Sequence, residues 1–191
     1  SVSPFGIATV GVFAAPASAD RAADGDLDAF IGEVFGNTVF FQNTGTSAAP
    51  AFAAGSSDSP FGISDVGSFA APVFADIDGD GLLDAFIGNY DGDTVFFHNT
   101  GTSAAPDFSG GSTTNPFGIS TVGVGSFAAP VFADIDADGD LDAFIGNYYG
   151  NTVFFQNTGT SAAPDVSEVS STTCSGSVSI SGVAASLFPH I

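Results

Sequence analysis

FAAPVFADIDGDGLLDAFIGN, residues 69–89, holds two strand-like stretches joined by a loop crowded with aspartate. The stretches FAAPVFAD and LDAFIGN are rich in Val, Ile and Phe, and their period is two: Leu83, Ala85 and Ile87 fall on one face, Asp84 and Phe86 on the other. Across Asp91-Gly92-Asp93, a hairpin turn repeated at Tyr149-Gly150-Asn151, comes a third strand, NTVFFQN in its commonest form. AAPDF (104–108) reads as the fourth. No window carries an amphipathic helix.

The same unit occurs three times. SPFGIATVGVFAAP (3–16), SPFGISDVGSFAAP (59–72) and NPFGISTVGVGSFAAP (115–130) each lead into an Asp-rich loop, then DAFIG, then TVFF and NTGTSAAP. Pro4, Pro60 and Pro116 are spaced 56 residues apart, and the third copy gains two residues around Val124-Gly125. The expected fold is all-β: three tandem four-stranded, propeller-type blades of about 56 residues plus a C-terminal strand. The expected divisions are 1–58, 59–114, 115–173 and 174–191. Three blades are too few to close a propeller, so either several chains complete a ring or the blades stack into an open array. The alternating tail around Val178 and Ile180 reads as an extra strand, closing an edge in its own chain or pairing with another chain.

The loops carry the chemistry. Asp76, Asp78, Asp80 and Asp84 stand at loop positions 1, 3, 5 and 9, with Gly81 at position 6 to curl the loop and the Leu82 carbonyl at position 7. Asp134, Asp136, Asp138 and Asp142 repeat the pattern with Gly139 and Asp140. Hard carboxylate oxygens at this spacing, with no Cys or His in the loop, predict calcium over magnesium or zinc. Position 12 is Ile87 or Ile145 where an EF-hand has Glu, and strand follows where a helix would begin, so these are calcium loops between strands. The first loop keeps Asp20, Asp24, Asp26 and Asp28 but has Ala22 at position 3 and Arg21 at position 2. It reads as a weak or lost site whose guanidinium neutralises Asp20 or Asp24; the alternative is an intact site lacking one ligand. Two Ca2+ sites are therefore expected, with a third weak or absent.

PFGI…FAAPVFADIDGDGLLDAFIGN and NTGTSAAP resemble the FG-GAP/VCBS-type repeats of integrin-like β-propellers, over residues 3 to about 166. The resemblance implies an extracellular, calcium-stabilised blade, with Asp76, Asp78, Asp80, Leu82 and Asp84 as one ligand set and Asp134, Asp136, Asp138, Asp140 and Asp142 as the other. AAP stands in place of GAP, and the first loop departs from the motif.

Of 191 residues, 21 are acidic and one is basic, for a formal charge of -20. A chain with a single cation has no surface for gripping phosphates, which excludes nucleic acid and anionic membranes as partners. No apolar run is long enough to cross a bilayer. Mean hydropathy of +0.34 and 21 Phe argue for a packed core. The chain begins at Ser1 and contains no Met, which points to removal of an initiator or targeting segment. Cys174 has no internal partner, leaving it buried or open to pairing between chains. No nucleophile–base pattern surrounds it, and His98, which replaces Gln42 and Gln156 of the sister units, reads as a drifted exposed position, so no enzyme is expected. The expected function is a secreted, calcium-rigidified structural protein that self-associates, as a filament or sheath. The alternative is a glycan-binding lectin or adhesin that uses Tyr90, Tyr148 and Tyr149.

Overall fold

A computed structural model describes residues 4–21, 24–53, 56–58, 60–120 and 126–172. The expectations for Ala22, the Val124-Gly125 insertion, Cys174 and the strand in 174–191 lie outside these residues.

The described residues form three antiparallel meanders of four strands each. The first contains β1 (Ala15–Ala19), β2 (Asp28–Gly32), β3 (Thr38–Phe41) and β4 (Ser56–Asp58); the second β5 (Ala71–Ala75), β6 (Asp84–Gly88), β7 (Thr94–Phe97) and β8 (Thr113–Thr114); the third β9 (Ala129–Ala133), β10 (Asp142–Gly146), β11 (Thr152–Asn157) and β12 (Val166–Thr172). Each Asp loop joins the first strand of a unit to its second. The only helical turns among the described residues are three-residue ones at each Pro-Phe-Gly.

The fourth strand differs from expectation. AAPDF does not pair in the second unit; β8 lies further on, at Thr113–Thr114. The reason is Asn99: its Oδ1 accepts the N–H groups of Gly101 and Asp107, both at 3.1 Å, and pulls NTGTSAAP into a closed turn. Asn43 and Asn157 make the same pair of bonds in their units. Phe108 then hands its N–H to the Phe61 carbonyl instead of to a strand.

The period-two alternation places two packing surfaces on one central strand. Ala85 and Ile87 of β6 belong to a cluster inside the second unit, with Ile63, Val66 and Phe108. Phe86, on the opposite face and fully buried (0% exposed), packs on Phe132 of the third unit at 4.2 Å between ring centroids. Phe30 of the first unit meets Phe74 of the second in the same way, at 4.3 Å. Each buried aromatic of this size contributes roughly 1.5–3 kcal/mol, so the joints between units are part of the core.

The main chain stitches these joints. Phe69 and Ala70 donate to the carbonyls of Val34 and Glu33, and Phe127 and Ala128 donate to those of Tyr90 and Asn89. The backbones approach so closely that a Cβ on Gly32 or Gly88 would lie about 2 Å from the carbonyl oxygen of Ala70 or Ala128. Phe61 and Phe117 adopt left-handed backbone (φ 57° and 58°) and turn their rings edge-on to Phe40 and Phe96 of the preceding unit, both at 5.0 Å. Such conformations cost a bulky residue on the order of 1–3 kcal/mol, offset here by ring burial across the joint.

Candidate metal centre

Each loop is first shaped by its own aspartates. In the second, Asp76 accepts the N–H groups of Asp80 and Gly81, and Asp80 Oδ1 accepts that of Leu82 at 2.8 Å. The third repeats this from Asp134 to Gly139 and from Asp138 to Asp140, and the first from Asp20 to Asp24 and Gly25 and from Asp24 to Asp26. Gly25, Gly81 and Gly139 at position 6 have φ of 86°, 88° and 97°, a conformation in which a side chain is strained. Position 4 is left-handed in both later loops, with φ 70° at Gly79 and 62° at Ala137.

The loops differ in what lies at their centre. In the third, carboxylate oxygens of Asp134, Asp136 and Asp138 lie within 4.8 Å of one another. In the second, the mutually close set is Asp78, Asp80 and His98. Asp76, Leu82, Asp84, Asp140 and Asp142 were also expected as ligands and lie outside those sets. Asp84 and Asp142 sit beneath them at position 9, buried, each with Oδ1 accepting a backbone N–H, from Asn99 and Asn157, at 2.8 Å. The Oδ2 of Asp142 takes the Ile135 N–H at 3.3 Å, but the Oδ2 of Asp84 is buried with no partner among the described residues.

Burial pushes the Asp84 carboxyl up to about 6, against its bond from Asn99 and the nearby His98, with Asp78 and Asp80 adding repulsion. Asp142 is raised for the same leading reason. An orphaned, buried carboxylate oxygen beneath converging carboxylates fits a hard divalent cation, which would satisfy the oxygen and hold the group ionised. The residues fit the group that the sequence implies.

The first loop solves the same problem with a side chain. Arg21 was expected to neutralise Asp20 or Asp24; instead its Nε donates to Asp28 Oδ2 at 3.3 Å, in a pair where Arg21 is 16% exposed. The buried Asp28 is the more costly anion to leave alone, and Asp20 is occupied by backbone N–H groups. The guanidinium also lies over the rings of Phe40 and Phe61, at 5.3 and 5.1 Å, and Nη1 reaches the Ala104 carbonyl of the second unit.

His98 is not adrift. Its Nε2 lies 3.1 Å from Asp78 Oδ2 and 4.0 Å from Asp84 Oδ1. Gln156 occupies the same place in the third unit, donating to Asp136 Oδ2 at 2.9 Å. The hairpin register held the signal: Ala85 pairs with Phe97, so the next pair outward is Asp84 with His98.

Tandem four-stranded antiparallel sheets with an acidic loop between the first two strands define a class of repeat protein. Residues 76–145 match the family model of the FG-GAP-like repeat, the type the sequence resembles. The match spans both loops with converging ligands and leaves out the Arg21 loop. No curated protein matches the chain. No helix among the described residues is long and apolar enough to cross a membrane.

Proposed function

We propose that this protein is a secreted, calcium-stabilised structural repeat protein, without catalytic activity, whose blades associate end to end with those of further copies. The observation that supports the reading is a joint made twice inside the chain, both halves of whose packing face recur at least partly exposed on the first and third described units. Phe5 has the same left-handed backbone as Phe61 and Phe117 (φ 53°), and among the described residues its ring is 62% exposed. At the other end Phe144 and Phe154 pack on each other at 4.8 Å, with no ring of a following unit against them among the described residues. Gly146, the counterpart of Gly32 and Gly88, has nothing among the described residues closer than 3.9 Å to an added Cβ. A second copy presenting Phe5 to Phe154 repeats the internal joint, except that Ser18 stands where Phe74 and Phe132 supply a ring.

Calcium would cross-brace each later unit and offset the repulsion of a chain with formal charge -20. The extracellular setting rests on the repeat type, which is typically found there. Negative-stain microscopy and light scattering in millimolar calcium test the reading. End-to-end assemblies that Phe5→Ser weakens support it, and a monomer at every concentration overturns it.

One observation favours glycan binding as a second reading. Phe13, Phe69, Phe127, Tyr148 and Tyr149 form a continuous row of rings, each 4.6–5.5 Å from the next, and Tyr148 is 70% exposed. Such a row offers faces for sugar stacking. A rise in melting temperature with a glycan panel, lost in Tyr148→Ala, supports it; no shift with any glycan removes it.

A further inference from the structure

We propose that the second loop, unlike its two sisters, also takes a divalent transition cation of the zinc type in place of calcium, with the imidazole of His98 as a nitrogen ligand beside Asp78 and Asp80. One ligand atom from each of the three residues lies within 4.8 Å of the other two. In a tetrahedral shell with bonds of about 2.0–2.2 Å, neighbouring ligands stand about 3.4 Å apart, and His98 Nε2 and Asp78 Oδ2 are already at 3.1 Å. The rest of the closure is therefore on the order of 1 Å. A second, independent feature points to a cation: Asp84, 2% exposed, has its Oδ1 4.0 Å from His98 Nε2, and its Oδ2 is buried with no partner among the described residues. The His98 ring is aligned by stacking on Phe96, at 26° between planes.

The donor atoms set the preference. Carboxylates and carbonyls alone suit calcium, whereas an imidazole nitrogen suits zinc, cobalt and nickel and does little for a hard ion. In the third loop the corresponding contact is an amide N–H of Gln156, which donates to Asp136 and has no lone pair to give. In the first loop the position 9 aspartate is already paired with Arg21. One substitution among three copies thus turns an all-oxygen centre into a mixed nitrogen–oxygen one. The second unit can then keep a metal clamp where calcium is scarce and zinc is present.

The test uses dilute, chelator-treated full chain, so that self-association does not enter. Zinc is titrated calorimetrically into wild type and His98→Gln, the residue both sister units carry. Wild type is expected to take one zinc ion at least tenfold more tightly than the variant, while both bind calcium alike. On 15N-labelled wild type, zinc should move the His98 ring nitrogen to a metal-bound shift, read apart from His190, the only other histidine. Equal zinc affinity in the two proteins overturns the proposal, as does zinc binding that leaves the His98 ring nitrogen where it was.

Discussion

The first and second loops place the same aspartate at the same buried position and finish it differently. Asp28 and Asp84 each give Oδ1 to the N–H of an asparagine, at 2.7 and 2.8 Å. Asp28 then gives Oδ2 to a guanidinium, whereas the Oδ2 of Asp84 has no partner among the described residues. A buried anion must be compensated by something. One unit carries its cation covalently, and the other leaves room for one from solution. The comparison teaches that the position 9 aspartate defines the loop, and that a fixed guanidinium and a cation held by converging carboxylates are two ways to neutralise it.

The largest expected effect comes from removing the mobile cations. With free calcium at about a hundred times the dissociation constant, each site adds roughly 2.7 kcal/mol, so chelation should cost the chain about 5 kcal/mol across the second and third units. Asp78→Ala combined with Asp136→Ala should abolish that dependence. A calcium-induced rise in melting temperature that survives both substitutions breaks the comparison.

Next is the fixed cation. Arg21→Gln leaves Asp28 buried without its partner and should destabilise the first unit by about 3 kcal/mol. Denaturant melts should give the same loss with calcium and with chelator, because the guanidinium already occupies Asp28 Oδ2. A loss that calcium erases would mean the first loop holds an ion after all.

A smaller effect appears as a pH dependence in chelator. The Asp84 carboxyl is held at about 6 in the folded protein, chiefly by burial. The folded state therefore binds this proton more tightly than the unfolded chain, where the ordinary value is 3.8. The stabilisation is fully present below the unfolded value and is lost as pH rises through about 6. Metal-free protein should thus melt higher at pH 5 than at pH 7, and Asp84→Asn should flatten part of that slope. Calcium, which requires the ionised carboxylate, should oppose it.

Much of this was legible in the sequence. The period of 56, the alternation in DAFIG and the turn glycines locate three strands of every unit, because they depend on neighbours a few residues away. The fourth strand was not, since AAPDF is apolar enough to pair and is withheld by two bonds to one asparagine. The partner of Arg21 was also hidden. Chain distance favours Asp20 and Asp24, but burial makes Asp28 the anion in greater need. His98 was within reach: counting outward from the hairpin turn sets it opposite Asp84, yet exposure and single occurrence made it look incidental.

The lone arginine has a consequence for anyone handling the protein. Arg21 is the single residue after which trypsin can cut this chain. Its side chain is pinned between two rings and a carboxylate, so the protease must wait for those contacts of the first unit to open. Tryptic digestion then amounts to a clock for one local event: its rate reads the opening of a single repeat while the other two go unprobed, with no label or engineered site required.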